Sequence, residues 1–146
     1  MVFVGLKIGF LWSDYDVVEV SIHASNGAFC GTTKAYVSHG ALAETASILE
    51  GFPREISDAR ELVLGTLDPK FAGGGISMKF SCRDSAGHAT VEMRIVSDAS
   101  GEPWWNAPAQ SVHMFANVEA AAIDDFVVEL RHFETVQSAL ASLRFM

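Results

Sequence analysis

Residues 76–95 constrain the chain more than any other stretch. Ile76, Met78 and Phe80 alternate with Ser77, Lys79 and Ser81, and after Asp84-Ser85-Ala86-Gly87 the residues Val91, Met93 and Ile95 alternate with Glu92 and Arg94. A period of two is that of a β-strand with one dry face and one wet face. If Arg83 pairs with His88 across the four-residue turn, Phe80 falls opposite Val91, Met78 opposite Met93 and Ile76 opposite Ile95. On the other face Lys79 then falls opposite Glu92, a favourable cross-strand pair. A slip of one residue would ruin both faces at once, so the register is strongly specified. The chain must therefore contain an antiparallel hairpin whose apolar face needs a cover.

The remaining periodicities supply that cover. Leu6 to Trp12 reads as a strand. Residues 17–24 alternate as a second strand, Asn26-Gly27 is a hairpin signal, and Phe29 to Val37 returns, with Gly31 as a weak point. Ser38 is placed to cap a helix on which Ala41, Leu42, Thr45, Ala46, Leu49 and Phe52 share one side, with Gly51 and Pro53 as its stop. "ELVLGTL" is a short strand and "DPKFAGGG" a loop, three consecutive glycines neither packing nor holding a helix. Gln110 to Ala116 reads as another strand. Asn117 then caps a helix with the stripe Val118, Ala122, Phe126, Leu130 and Phe133, and Thr135 restarts a short final helix carrying Val136, Ala139, Leu140 and Leu143. Strands joined by hairpins rather than helical crossovers indicate an α+β fold, a mostly antiparallel β-sheet with two amphipathic helices packed on one face. There is no repeat or linker, so residues 1–146 are expected to form a single domain.

Composition narrows the function classes. Half the residues are hydrophobic, and the mean hydropathy of +0.23 is high for so small a chain, which suggests apolar surface covered by another copy or a partner. The net charge of −8 and ten scattered basic residues argue against nucleic acid and against anionic membranes. "MVFVGLKIGFLW" has no basic leading region, is interrupted by Lys7 and is too short to span a bilayer, so a first strand is the expectation rather than a leader. Cys30 and Cys82 form no C-x-x-C motif and read as small buried hydrophobes. A reducing cytoplasmic location is the default.

No nucleotide-binding, nucleophile-elbow or zinc-protease motif is present, and no pair of the five histidines has metal-ligand spacing. No metal, no cofactor and no catalytic turnover are expected. His23 and His113 lie on strand-like runs, and with Glu92 they would form a wet-face set able to bind a ligand or work as acid and base, should their strands be neighbours. Asp84, Gly87 and His88 form a structural turn: Asp84 can accept hydrogen bonds from the turn backbone, Gly87 can take a positive φ, and His88 can close the turn. The stretch "GEPWWNAP" places Trp104 and Trp105 between prolines. Successive side chains of an extended segment point to opposite sides, so the two rings do not readily enter one core. Tryptophan is enriched at interface hot spots, and a homodimer is the commonest soluble assembly.

"FSCRDSAGHATVEMRI", followed by a tryptophan-bearing loop, a strand and "VEAAAIDDFVVELRHF", resembles the WapI family of bacterial immunity proteins and a related bacterial domain family of unknown function. Asp84, Gly87 and His88 match the turn of that pattern, and Glu119, Ile123, Phe126 and Leu130 match its closing helix. The resemblance runs from about Val17 to Phe133 and brings no catalytic residues. It implies a noncatalytic protein-binding module, in the immunity case one that blocks a toxin. The expected partner is another copy of the chain or a toxin-like protein, met through Trp104, Trp105 and the wet sheet face. The alternative is a small ligand-binding protein or enzyme using His23, Glu92 and His113.

Overall fold

The computed structural model describes residues 3–68, 70–98, 108–133 and 140–146. In chain order the elements are β1 (Gly5–Ser13), β2 (Val17–Ser25), β3 (Cys30–Ser38), α1 (Ala41–Leu49), β4 (Ala59–Gly65), β5 (Gly75–Cys82), β6 (His88–Val96), β7 (Ser111–Glu119), α2 (Ala120–Phe133) and β8 (Leu140–Arg144). The fold is α+β and its strand pairs are antiparallel. The strands divide into two four-stranded sheets where alternation alone suggested one: sheet A in the order β3-β2-β1-β8 and sheet B in the order β4-β5-β6-β7.

The β5–β6 hairpin has the register that its two faces demand. Phe80 pairs with Val91, Met78 with Met93, Ile76 with Ile95 and Lys79 with Glu92. Phe80, Val91, Met93 and Ile76 are fully buried. They share one continuous core with Leu6, Ile8, Val20 and Ile22 of sheet A and with Leu42, Leu49, Ile123, Phe126 and Leu130 of the helices. The helices pack on each other, α1 also on β4, and α2 also on β8 and β7.

Several local expectations give way to tertiary context. Ser38 ends β3, and the N-cap of α1 is Gly40, with φ 88° and no side-chain cap. Asn117 is a strand residue. β7 runs through Val118 to Glu119 and passes directly into α2, whose first amide, Ala120 N, donates to Gly87 O at 2.9 Å. The turn between β5 and β6 therefore performs the capping expected of Asn117. The final segment is a strand: residues 140–144 pair with Gly5–Gly9 of β1 and complete sheet A, with Ala141 and Leu143 inward and Leu140 about half exposed. Thr135, Val136 and Ala139 lie outside the described residues. Cys30 is exposed and Cys82 half-buried, both as free thiols, so Cys30 is no buried hydrophobe.

The glycine run packs closely after all. Gly74 N donates to Lys34 O at 2.7 Å, which joins the rim of sheet B to the edge strand of sheet A. A Cβ at Gly74 would overlap Thr33 Oγ1 and the Val96 carbonyl oxygen. Only glycine permits this approach of the two sheets.

Candidate functional site

The outer face of sheet B is an open concavity of about 600 Å³, with Glu61, Lys79, Glu92, Arg94, Ser111 and His113 among its lining residues. Alternation along each strand turns these side chains away from the core. Val63 of β4 and Phe115 of β7, 57% and 54% exposed, stand at its two margins.

Charge pairing on this face differs from the simplest expectation. Lys79 is opposite Glu92 in register, yet its ammonium lies 3.6 Å from Glu61 on the other neighbouring strand. Glu92 Oε2 instead lies 2.7 Å from His113 Nε2, a diagonal contact between β6 and β7. The His113 ring also leans on Phe115, with centroids 5.1 Å apart. When the proton is on Nε2, that N–H donates a hydrogen bond to Glu92 and Nδ1 is left as an acceptor, so the pair can orient a polar group or relay a proton. Both side chains are about half exposed, at 55% and 42%. The structure thus joins Glu92 and His113 and leaves His23 apart. His23 is on β2 of sheet A, with its Nδ1 2.9 Å from Thr32 Oγ1. The division into two sheets is the physical reason. Glu61 was not evident beforehand because the register of β4 against β5 was unknown. Phe115 was visible as an aromatic out of phase with the dry side of its strand.

Asp84, Gly87 and His88 form the turn between β5 and β6. His88 Nδ1 lies 2.7 Å from Asp84 Oδ2, while Asp84 Oδ1 accepts from Ala86 N at 2.8 Å. The His88 hydrogen bond, with the Ala86 amide second, holds the Asp84 carboxyl below the usual carboxylate range. Gly87 has φ 86°. This places its carbonyl on the first amide of α2, so these residues fix where the helix begins.

Trp104 and Trp105 lie outside the described residues. Their connection leaves β6 after Val96 and enters β7 at Ser111, where two bonds close its base: Ser97 N to Gln110 O and Gln110 N to Ser97 Oγ, each 2.8 Å. Its described ends therefore meet at the end of sheet B that carries Ser111. Among the described residues no group of three or more His, Cys, Asp or Glu side chains converges to hold a metal ion, and no helix is long and apolar enough to cross a membrane. No known protein family, curated protein or solved structure matches the chain.

Proposed function

We propose that the protein is a noncatalytic protein-binding module. Its contact surface is the outer face of sheet B together with the connection bearing Trp104 and Trp105, and its first partner is a second copy of the chain. The observation that carries this reading is the character of the face. It is open, has apolar Val63 and Phe115 at its margins, and presents both signs of charge in Glu61, Lys79, Glu92 and Arg94. A surface with both signs can complement itself under two-fold rotation. Two of the chain's three tryptophans lie in the connection between β6 and β7, two strands of this sheet. The resemblance to the WapI immunity family supports the same class of function, with a toxin-like protein as the second candidate partner.

Sedimentation of the wild type and of Trp104→Ala/Trp105→Ala over a dilution series tests the reading. A buried tryptophan anchor is worth about 2 kcal/mol or more on truncation, so the double variant should associate at least ~10-fold more weakly with its fold intact. A wild type that is monomeric at every concentration rules out self-association and leaves the foreign partner.

A second reading has one observation in its favour. The concavity holds a histidine already bonded to a carboxylate, an arrangement able to move a proton on a bound small molecule. Saturable displacement of the His113 ring resonances by a small-molecule library, abolished in Glu92→Gln, would favour it. The openness of the face and the half exposure of both groups speak for the protein-binding reading, since small-ligand sites enclose most of their ligand.

A further inference from the structure

The outer face of sheet A carries a different arrangement. The registers of β1 on β2 and of β2 on β3 set Trp12, Glu19 and Tyr36 in one row across three strands. The two rings stand at the ends of the row, 42% and 36% exposed, with centroids 6.2 Å apart and planes at 66°. Glu19 lies between them and is only 9% exposed. Tyr36 is the register partner of Glu19, and the Glu19 charge holds its hydroxyl above the ordinary tyrosine range. The Tyr36 ring is held from behind by Gly73, where an added Cβ would press on its Cδ2 at 2.8 Å.

Among the described residues no ion pair gives Glu19 a cation: the pairs are Arg60–Asp58, Lys79–Glu61, His88–Asp84, His113–Glu92 and Arg131–Glu50. A glutamate side chain so nearly covered by its neighbours is ordinarily paired with a cation. Asp98 adds further negative charge close to Tyr36. A negative centre between two solvent-facing aromatic walls is the complement of an organic cation. Ring faces attract positive charge, and they do so more strongly when the cation is partly desolvated.

We propose that Trp12, Glu19 and Tyr36 form a subsite for an alkylammonium group, presented as a lysine side chain of a partner protein. Two walls meeting at 66° make a corner. A compact ammonium head fits it, with its methylenes along the rings, whereas a planar guanidinium stacks on one ring and leaves the other unused. The carboxylate supplies the acceptor and the charge, and the chain's net −8 steers such a group inward. That the lysine belongs to a partner protein rests on the binding-module reading; recognition of the ammonium does not, and the subsite lies on the other sheet.

The test follows the Trp12 indole N–H resonance, identified by its loss in Trp12→Phe, while Nα-acetyl-lysine N-methylamide is added to the full-length protein. The expected result is a saturable shift with this probe and none with the norleucine analogue or with potassium chloride at matched ionic strength. Glu19→Gln keeps the shape and removes the charge, and should weaken binding about 10-fold. Trp12→Leu, followed through the Tyr36 ring resonances, should weaken it about 5-fold, so a poorly folded Glu19 variant does not remove the test. No saturable shift, an equal shift with norleucine, or undiminished binding to a folded Glu19→Gln would overturn the proposal. Dimerisation through sheet B, read separately by sedimentation, is untouched by Glu19→Gln, so the two proposals fail independently.

Discussion

Replacing Arg60 by Met should cost the fold about 2–3 kcal/mol. Arg60 stands near the start of β4, and its guanidinium joins three parts of the chain. Nη1 donates to the carbonyls of Ile48 and Glu50 at 2.9 and 2.8 Å, which satisfies acceptors at the end of α1. Nε and Nη2 donate to the two oxygens of Asp58 at 3.1 and 2.8 Å, and the group lies over the Phe52 ring at 5.6 Å. The two side chains are only 18% and 13% exposed. Hydrogen bonds to charged groups contribute about 1.5–3 kcal/mol each, but four on one guanidinium are far from additive, and water reaches part of the site. Asp58 also keeps the Arg54 amide at 2.8 Å. Treating the fork as one unit gives the figure above, and methionine retains most of the stem packing. For a chain of this size the Tm should fall by about 6–12 °C.

Urea unfolding followed by circular dichroism at several pH values supplies the assay. The Arg60 hydrogen bond, then the Arg54 amide, holds the Asp58 carboxyl below its ordinary value of 3.8. A depressed carboxyl adds stability that is fully present above the unfolded value and is lost as pH falls through the folded one. Without Arg60 that depression shrinks, so the gap between wild type and variant should be widest at neutral pH and narrow below about pH 4. A loss under ~0.5 kcal/mol at pH 7, the range of ordinary surface changes, or a gap that ignores pH would refute the reasoning.

Gly74→Ala should destabilise by about 1–3 kcal/mol or more, seen as a lower urea midpoint, because the new methyl overlaps Thr33 and the Val96 carbonyl where the sheets meet. Asn26→Ala should cost about 1 kcal/mol or more by the same measurement. It removes the acceptor of the Ala28 and Phe29 amides and the donor to Phe115 O that ties the β2–β3 turn to β7. Asp84→Asn should flatten the acid limb of the stability curve. His88 and the Ala86 amide depress the Asp84 carboxyl, so its contribution exists above the ordinary value and disappears as pH drops. An acid limb identical to wild type would contradict that assignment.

The sequence by itself determined seven of the eight described strands, β1 to β7, and the hairpin register. Alternation at Ile76–Phe80 and Val91–Ile95 records which side of each strand is dry, and two faces with different chemistry admit one pairing. Asn26-Gly27 and Asp84-Gly87 announced turns for equally local reasons, and the Glu92–His113 pair was half visible as a wet-face set. What alternation does not record is which sheet a dry face belongs to. His23 and His113 carry the same signal and stand on different sheets. Residues 140–144 are too few to separate a period of two from one of 3.6. They became a strand because β1 offered an open edge whose backbone groups required partners. Asn117 remained in β7 because Gly87 already capped the helix that follows. The row Trp12–Glu19–Tyr36 depends on a bulge between Phe10 and Trp12 and on two registers at once. Contacts between residues far apart in the chain made these choices, since only the assembled core could show which pairing left the fewest apolar atoms in water and the fewest polar groups without a partner.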